Sequence, residues 1–523
     1  MGKVVGIDLG TTFSAIATLD DRGLPVTLPN NDGEMFTPSA VLLLGNRAIV
    51  GQAALDAAQE DPEHVAMLVK RRMGLPDYGR TIEGKSFRPE TLSAIILRKL
   101  VQDAEKRLGP ISKAVITVPA YFDDTRRKAT QDAGKIAGLD VLDILDEPSG
   151  AALSYSFREG YTPNVSVGNP GQITDKSRII LVYDLGGGTF DVTLVKLLPK
   201  RFQTLGIEGD VRLGGKDWDD RVVDYVAGKF YEKYKDDPRT DPQSLVMLQA
   251  AAERAKRTLS KLEQTSITCN HGGHKIVVPF TRKDFENLTR DLLTRTRLTT
   301  QQLLRQVGVK WEQIDRILLV GGSTHMPMTG QMLQEISGKA PDNTLSVSEV
   351  VARGAAIHAG IIAARTQENR QLLNQTAADL LGDVVEISVN ALGLGVEVRS
   401  EAERINDILI KKNTQLPAAE SRVYHTVKPN QNRVRVRILQ GEAHQADACI
   451  SIGECWIDGL PPQLPKGSPI QVRCAVAENG IIEVMALDMT SGRMAKTSIH
   501  RSSGLSDEEI AQEANWVKNL DIQ

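Results

Sequence analysis

The sequence predicts an α/β protein with a nucleotide site between two related lobes, followed by an all-β domain. Three observations carry this. An apolar strand at residues 180–183 runs into Asp184-Leu185-Gly186-Gly187-Gly188-Thr189-Phe190-Asp191, and a second β-rich run leaves from Val192. The N-terminus repeats the pattern: Val4-Val5-Gly6-Ile7 leads into Asp8-Leu9-Gly10-Thr11-Thr12-Phe13, and a third strand ends at Gly321-Gly322-Ser323-Thr324. From about Asp383 a period-two alternation replaces the mixed texture. A single glycine cluster between strands reads equally well as a plain hairpin turn. Two copies so far apart suit a duplicated α/β unit rather than a short solenoid repeat.

The chemistry of these turns is direct. Glycines let the backbone approach a ligand closely, and successive bare N–H groups make a concave anion site to which a threonine hydroxyl adds a donor. An aspartate at each strand end can face the same ligand through a hydrated Mg²⁺. Neither a Walker A sequence nor a GxGxxG fingerprint occurs in the chain, so P-loop and Rossmann sites are excluded.

Composition narrows the classes further. With 523 residues, 41% hydrophobic and 25% charged, the chain can build several cores. A net charge of −3 and only 4% aromatic residues argue against nucleic acid or an anionic membrane as partner. No apolar run has membrane-spanning length, and a strand beginning at Lys3 leaves no room for a secretory signal, so a cytoplasmic protein is expected. Cys269, Cys449, Cys455 and Cys474 form no CxxC pair, and reduced thiols are expected in place of zinc.

In chain order, residues 91–108 repeat apolar positions at helical spacing (Leu92, Ile95, Ile96, Leu100, Ala104, Leu108) and stop at Gly109-Pro110. A buried-type strand follows at residues 114–118, then a helix from about Asp124 with Ala129, Ala133, Ile136 and Ala137 on one face and a stop at Gly138. Helical patterns dominate residues 210–309. There Glu253, Lys256 and Ser260 share a face, which in isolation reads as a solvated charged surface. After Asp383, Val434, Val436 and Ile438 alternate with Arg433, Arg435 and Arg437. Turns at Pro429-Asn430, residues 459–462 and residues 478–480 divide a β domain of roughly 110–120 residues. Ser506 with Glu509 forms a capping box for a final short helix carrying Ile510, Ala514 and Val517.

The ordered set of motifs resembles the DnaK-type seventy-kilodalton heat-shock chaperones over nearly the whole chain. It includes Ile7 to Thr12, Thr117-Val118-Pro119-Ala120-Tyr121-Phe122, Glu147-Pro148, Asp184 to Asp191, Gly209-Asp210 with Leu213-Gly214-Gly215, Glu253 to Ser260, Val320 to Thr324 and Gln440-Gly441-Glu442. The resemblance implies a two-lobed actin/hexokinase-like ATPase domain at residues 1–378 and a linker at 379–388. A β-sandwich peptide-binding domain would fill 389–504, with a short helix at 505–523 as a truncated lid. ATP or ADP with Mg²⁺, and K⁺ beside it, are the implied cofactors. Unfolded polypeptide segments are the implied substrate, and a J-domain co-chaperone and a nucleotide exchange factor the implied partners.

Family roles map onto matching positions. Lys70, on its own one lysine among many, matches the γ-phosphate lysine, and Glu147 the hydrolytic carboxylate. Asp8 and Asp184 match the Mg²⁺ surroundings, with Thr189 and Asp191 alongside. Gly10, Thr11, Thr12, Phe13, Gly186, Gly187 and Gly188 line the nucleotide. Glu253, Lys256, Arg257 and Ser260 form the adenosine clamp, and Gly321, Gly322 and Ser323 the adenine-side turn. Pro119 and Arg127 match a proline switch and arginine relay. Val396, Tyr424, Val436 and Ile438 match the peptide pocket, although without the family ordinary core is as good a reading of those four.

Departures cluster in coupling. The linker, a leucine run in the family, reads Asp383-Val384-Val385-Glu386-Ile387-Ser388-Val389 here. Each leucine buried would be worth about 1.5–3 kcal/mol, and Glu386 forfeits one and adds desolvation. Allosteric coupling is itself typically about 1–3 kcal/mol, so uncoupled domains are expected unless Leu380-Leu381 dock instead. Asp143 replaces an arginine four residues before Glu147 and Ser388 the closing aspartate, which puts J-domain docking in question. His325 and residues 346–349 depart near the nucleotide, where weaker binding is expected. Arg399 and Val427 depart over the peptide cleft, and the short helix predicts fast peptide release. Three functions follow as alternatives: a coupled ATP-hydrolysing chaperone, a nucleotide-binding holdase, scaffold or exchange partner, and a small-molecule kinase of the same superfamily.

Overall fold

A computed structural model describes residues 3–161, 177–342, 346, 349–399, 403–477, 480–499 and 504–523. The turn expected at 478–480 and the departure at 346–349 lie partly outside the described residues.

The first α/β unit forms where the apolar runs predict it. Strands β1 (Lys3–Asp8), β2 (Phe13–Leu19), β3 (Pro25–Leu28), β4 (Ile111–Val118) and β5 (Asp140–Asp146) lie in the order β5-β4-β1-β2-β3. β1, β4 and β5 are parallel, while β2 and β3 continue antiparallel. Parallel neighbours need crossover connections. Helices α1 (Pro89–Leu108) and α2 (Asp124–Ile136) supply them, burying the apolar faces read from the sequence. Asp123 caps α2 by accepting from the Arg126 amide at 2.9 Å. Helix α3 (Glu147–Arg158) starts directly after β5.

The second unit repeats the plan. β6 (Arg178–Leu185), β7 (Phe190–Leu198) and β8 (Arg201–Asp210) form an antiparallel run, and the later strand β11 (Arg316–Val320) joins β6 in parallel. Helices α4 (Gly215–Tyr234), α5 (Pro242–Leu259) and α6 (Arg290–Val307) occupy the region expected to be helical. A hairpin of β9 (Gln264–His271) and β10 (His274–Thr281) interrupts it, turned at Gly272-Gly273. There Ile267 and Cys269 face the core with Ile276, Val278 and Phe280. Between the two units run α3 and α7 (Val350–Arg365). They cross at glycines, where a Cβ on Gly354 would stand 1.8 Å from the Gly150 carbonyl oxygen. On α7, Ala355 and Ala359 pack with Val4 and Val115 of the first sheet, while Ile357 and Ile361 pack with Ile180 and Val182 of the second.

The expected linker divides. Residues 379–381 belong to a short helix, Gln375–Leu381, whose Leu381 is buried. β12 (Val385–Ile387) then adds to the edge of the second sheet, parallel to β8, giving the order β11-β6-β7-β8-β12. The linker is therefore docked with Glu386 in place.

Beyond it, two four-stranded antiparallel sheets enclose one apolar core. One holds β13 (Leu394–Arg399), β14 (Arg404–Ile410), β16 (Arg433–Gln440) and β17 (Ile450–Asp458). The other holds β15 (Ala418–His425), β18 (Pro469–Val476), β19 (Ile482–Asp488) and β20 (Met494–Ile499). This all-β unit contacts both α/β units. Asn413 accepts from the Ile207 amide at 2.8 Å, Lys412 pairs with Glu208 at 2.7 Å, and Gln440 accepts from the Asp124 amide at 3.0 Å.

The C-terminal helix α8 (Asp507–Lys518) carries the expected capping box, but it is not positioned as a lid. It packs on α1 and α2, with Leu505, Ile510, Val517 and Leu520 inside the first unit's core and Trp516 5.6 Å from Phe87. β21 (Asp521–Ile522) pairs with a short strand, Arg47–Val50, of that unit. The expected truncated lid is corrected: the apolar face of Ile510 and Val517 is covered by the first α/β unit. Among the described residues no helix is long and apolar enough to cross a membrane.

Candidate functional site

The two Asp-Leu-Gly turns meet face to face. A Cβ on Gly187 would stand 2.6 Å from Thr12 Oγ1, and one on Gly188 would stand 2.7 Å from Thr11 Cγ2, so the glycines exist to let the lobes close. The second turn is pinned from behind: the Gly215 and Lys216 amides donate to the Gly186 and Gly187 carbonyls, each at 2.9 Å, and Ser323 Oγ donates to Gly186 at 2.9 Å. Gly321 takes φ +81°, and a Cβ there would stand 2.5 Å from Asp184 Oδ1. The first turn is held by Ser39, whose hydroxyl donates to the Gly10 carbonyl at 2.8 Å. A Cβ on Gly10 would strike the Phe13 carbonyl oxygen at 2.0 Å.

Four carboxylates converge behind the turns. Asp8 closes β1, Asp184 and Asp191 flank the β6–β7 turn, and Glu147 opens α3. Burial raises the Asp8 carboxyl to about 7, with the Glu147 charge adding and Lys70 and a 3.0 Å hydrogen bond from Thr117 opposing. Asp184 and Asp191 are likewise raised well above the usual range, first by burial and then by Glu147. Asp191 accepts from the Tyr121 amide at 3.0 Å through Oδ1, while Oδ2 is buried without a hydrogen-bond partner. Lys70, in the turn Val69–Arg72, is 5% exposed and hydrogen-bonds and ion-pairs Glu147. Carboxylates held so unfavourably, with an orphaned oxygen among them, fit a cation, and the glycine turns fit an anion. Thr189 is buried beside Gly188 in the same turn.

Further out, the clamp residues divide. Lys256 is drawn inward to Asp219 at 2.7 Å and to the Gly215 carbonyl at 3.0 Å, and burial raises Asp219 to about 6 against that pairing. Ser260 turns back to the Lys256 carbonyl at 3.0 Å. Glu253 lies 3.6 Å from the exposed Arg257, whose guanidinium stands 5.8 Å over the Phe13 ring, reaching from one α/β unit to the other. Gly322 and His325 are exposed.

Arg127 ties two motifs together. It pairs with Asp146 beside Glu147 and donates to the carbonyls of Phe122 at 3.1 Å and Ala120 at 3.2 Å, in the turn that Pro119 begins. Sequence reasoning missed Arg71, which forms a bidentate contact to Asp217 at 2.8 and 3.1 Å across the cleft. Its place next to Lys70 was the available signal. The peptide-pocket residues are not gathered on a surface. Val396, Val436 and Ile438 are buried in the core between the β sheets, and Tyr424 is part-buried with its hydroxyl donating to Asp407 at 2.8 Å.

Fold and site together define an α/β protein with facing glycine turns over a buried carboxylate cluster and an attached β unit. The Hsp70 protein family model matches residues 4–78 and 76–521. The chain belongs to the Hsp70 family, whose members are ATP-dependent chaperones that bind ATP or ADP with Mg²⁺.

Proposed function

We propose that this chain hydrolyses ATP between its two α/β lobes and couples the nucleotide state to the binding of extended apolar polypeptide segments by its β-sandwich domain. The observation that carries the reading is the buried Lys70–Glu147 pair standing among Asp8, Asp184 and Asp191 behind two facing glycine turns. ATP hydrolysis needs little covalent chemistry and much positioning. The amides of residues 10–12 and of Gly187 and Gly188 bind phosphate oxygens from opposite sides, while the Gly186 amide closes its own turn by donating to the Thr189 carbonyl at 3.0 Å. Lys70 moves its charge from Glu147 to the terminal phosphate, which frees Glu147 to accept hydrogen bonds from an attacking water. Asp8 and Asp184 would hold Mg²⁺, which would neutralise charge on the phosphates. Thr189 and Asp191 orient groups at the same point, where K⁺ would be an accompanying ion.

The docked β12 strand supports coupling despite the altered linker. J-domain and exchange partners, and a reducing cytoplasmic setting for the four free cysteines, belong to the same reading. One observation favours the second reading, a nucleotide-binding holdase: α8 lies on the first lobe and not over the β-sandwich. Single-turnover hydrolysis with and without a model apolar peptide separates them. Acceleration by peptide, with ATP speeding peptide release, is the expected result. A peptide off-rate indifferent to ATP overturns coupling in favour of the holdase.

A further inference from the structure

Two of the departures that cluster in coupling, Asp143 and Glu386, meet at one buried histidine. His358, on α7, is 8% exposed. Its Nε2 lies 2.9 Å from Asp143 Oδ2 on β5, and its Nδ1 lies 2.5 Å from Glu386 Oε2 on the linker strand β12. The second contact has the distance of an ion pair without the angle of a hydrogen bond. Burial alone would strip the proton from the imidazole. The charges of Glu386 and Asp143 outweigh it and hold the group up at about 10, so the ring is an imidazolium at neutral pH.

Apolar packing contributes little along the linker strand itself. Between Leu381 and Val389 only Val384 is a buried apolar side chain, and Val385 is 42% exposed. Its other contacts are main-chain pairing with β8, a 2.8 Å hydrogen bond from Arg365 to the Val384 carbonyl, a 2.9 Å bond from the Leu416 amide to the Ser388 carbonyl, an exposed Lys200–Asp383 pair at 2.9 Å, and Val389 at its end, which packs on Ala120 and Ile207. A glutamate at 386 is thus no defect in a hydrophobic strap. Its desolvation is offset by a cation already buried beneath it, and that cation is shared with Asp143, three residues before Asp146 and four before Glu147.

We propose that His358 is a positioning residue that latches the linker to β5, so that docking of β12 is felt by the strand presenting Glu147. The part concerning Glu147 rests on the hydrolytic reading above; the latch itself does not. The groups facing His358 are Asp143 from β5 and Glu386 from β12, with Lys200, Asp383 and Arg365 flanking the linker strand.

The test uses the nucleotide-free full chain and the variants His358→Gln, Glu386→Gln and the double variant. Amide hydrogen exchange over residues 383–389 is expected to quicken about tenfold in either single variant. The double variant should exceed neither, since one bridge can be lost only once. Unchanged exchange in Glu386→Gln, a linker change that leaves the lobe cores intact, overturns the latch, as does a double variant whose effect is the product of the two. Nitrogen-15 spectra of labelled histidine at pH 8 are expected to show both His358 ring nitrogens protonated, and a neutral ring overturns it equally. Single-turnover ATPase then judges the rest. A His358→Gln rate within twofold of wild type, with the linker released, removes the link to Glu147. A wild type that hydrolyses no ATP removes the hydrolytic reading and that link together, while the exchange data still decide the latch.

Discussion

Replacing Lys70 by alanine tests whether the lysine belongs to chemistry alone. The residue is 5% exposed and its partner Glu147 is 9% exposed. Removing one member of a buried pair typically costs about 3–5 kcal/mol, because the other charge is stranded. Lys70 also opposes the rise of Asp8, held at about 7, and of Asp184 and Asp191, so its removal pushes these three carboxyls up further. The sign follows: a carboxyl whose folded value is raised loses stability as pH rises, so the Lys70→Ala deficit grows with pH. Chemical denaturation of the nucleotide-free protein, followed in the first unfolding transition, should give a deficit of about 3–4 kcal/mol at pH 7.5 that falls by at least half at pH 5.5. Hydrolysis should be lost at both. A deficit under about 0.5 kcal/mol at pH 7.5, as for a surface substitution, or one equal at the two pH values, refutes the buried-pair reasoning.

Three further outcomes follow from the same geometry. Asp8 at about 7 and Asp219 at about 6 are both raised by burial. Wild-type nucleotide-free stability should therefore decline between pH 5 and pH 8, and Mg²⁺ with ADP should stabilise more at pH 8, as melting curves at matched ionic strength would show. Gly214→Ala puts a Cβ 2.4–2.5 Å from the Gly188 backbone, so nucleotide affinity by calorimetry should fall at least a hundredfold while Gly228→Ala, which meets nothing within 4 Å, changes nothing. Val517→Asp strands a charge in the first unit's core. Limited proteolysis should then release α8 and destabilise that unit by about 3 kcal/mol or more, without altering the dissociation rate of a bound peptide.

What the sequence determined by itself was local. Asp-Leu-Gly after an apolar run specifies a strand and a close-approach turn, because only glycine tolerates the contacts seen at Gly10, Gly187 and Gly321. The periods of residues 91–108 and 433–438 likewise specified which faces are apolar, and Ser506 with Glu509 specified where the last helix begins. The hairpin at 264–281 does alternate, with Ile267, Cys269, Ile276, Val278 and Phe280 inward, but two short strands are outweighed by the strong helical periods on either side. What each face meets is a separate matter, since packing partners lie hundreds of residues away and periodicity carries no address. Val436 and Ile438 look alike as pocket or core, and only the second sheet makes them core. α8 reads as a lid or as a brace, and only the α1–α2 groove makes it a brace. Asp143 and Glu386 read as two losses, and only the tertiary structure puts one buried imidazolium between them, because the fate of a charge depends on the charge it faces and not on its neighbours in the chain.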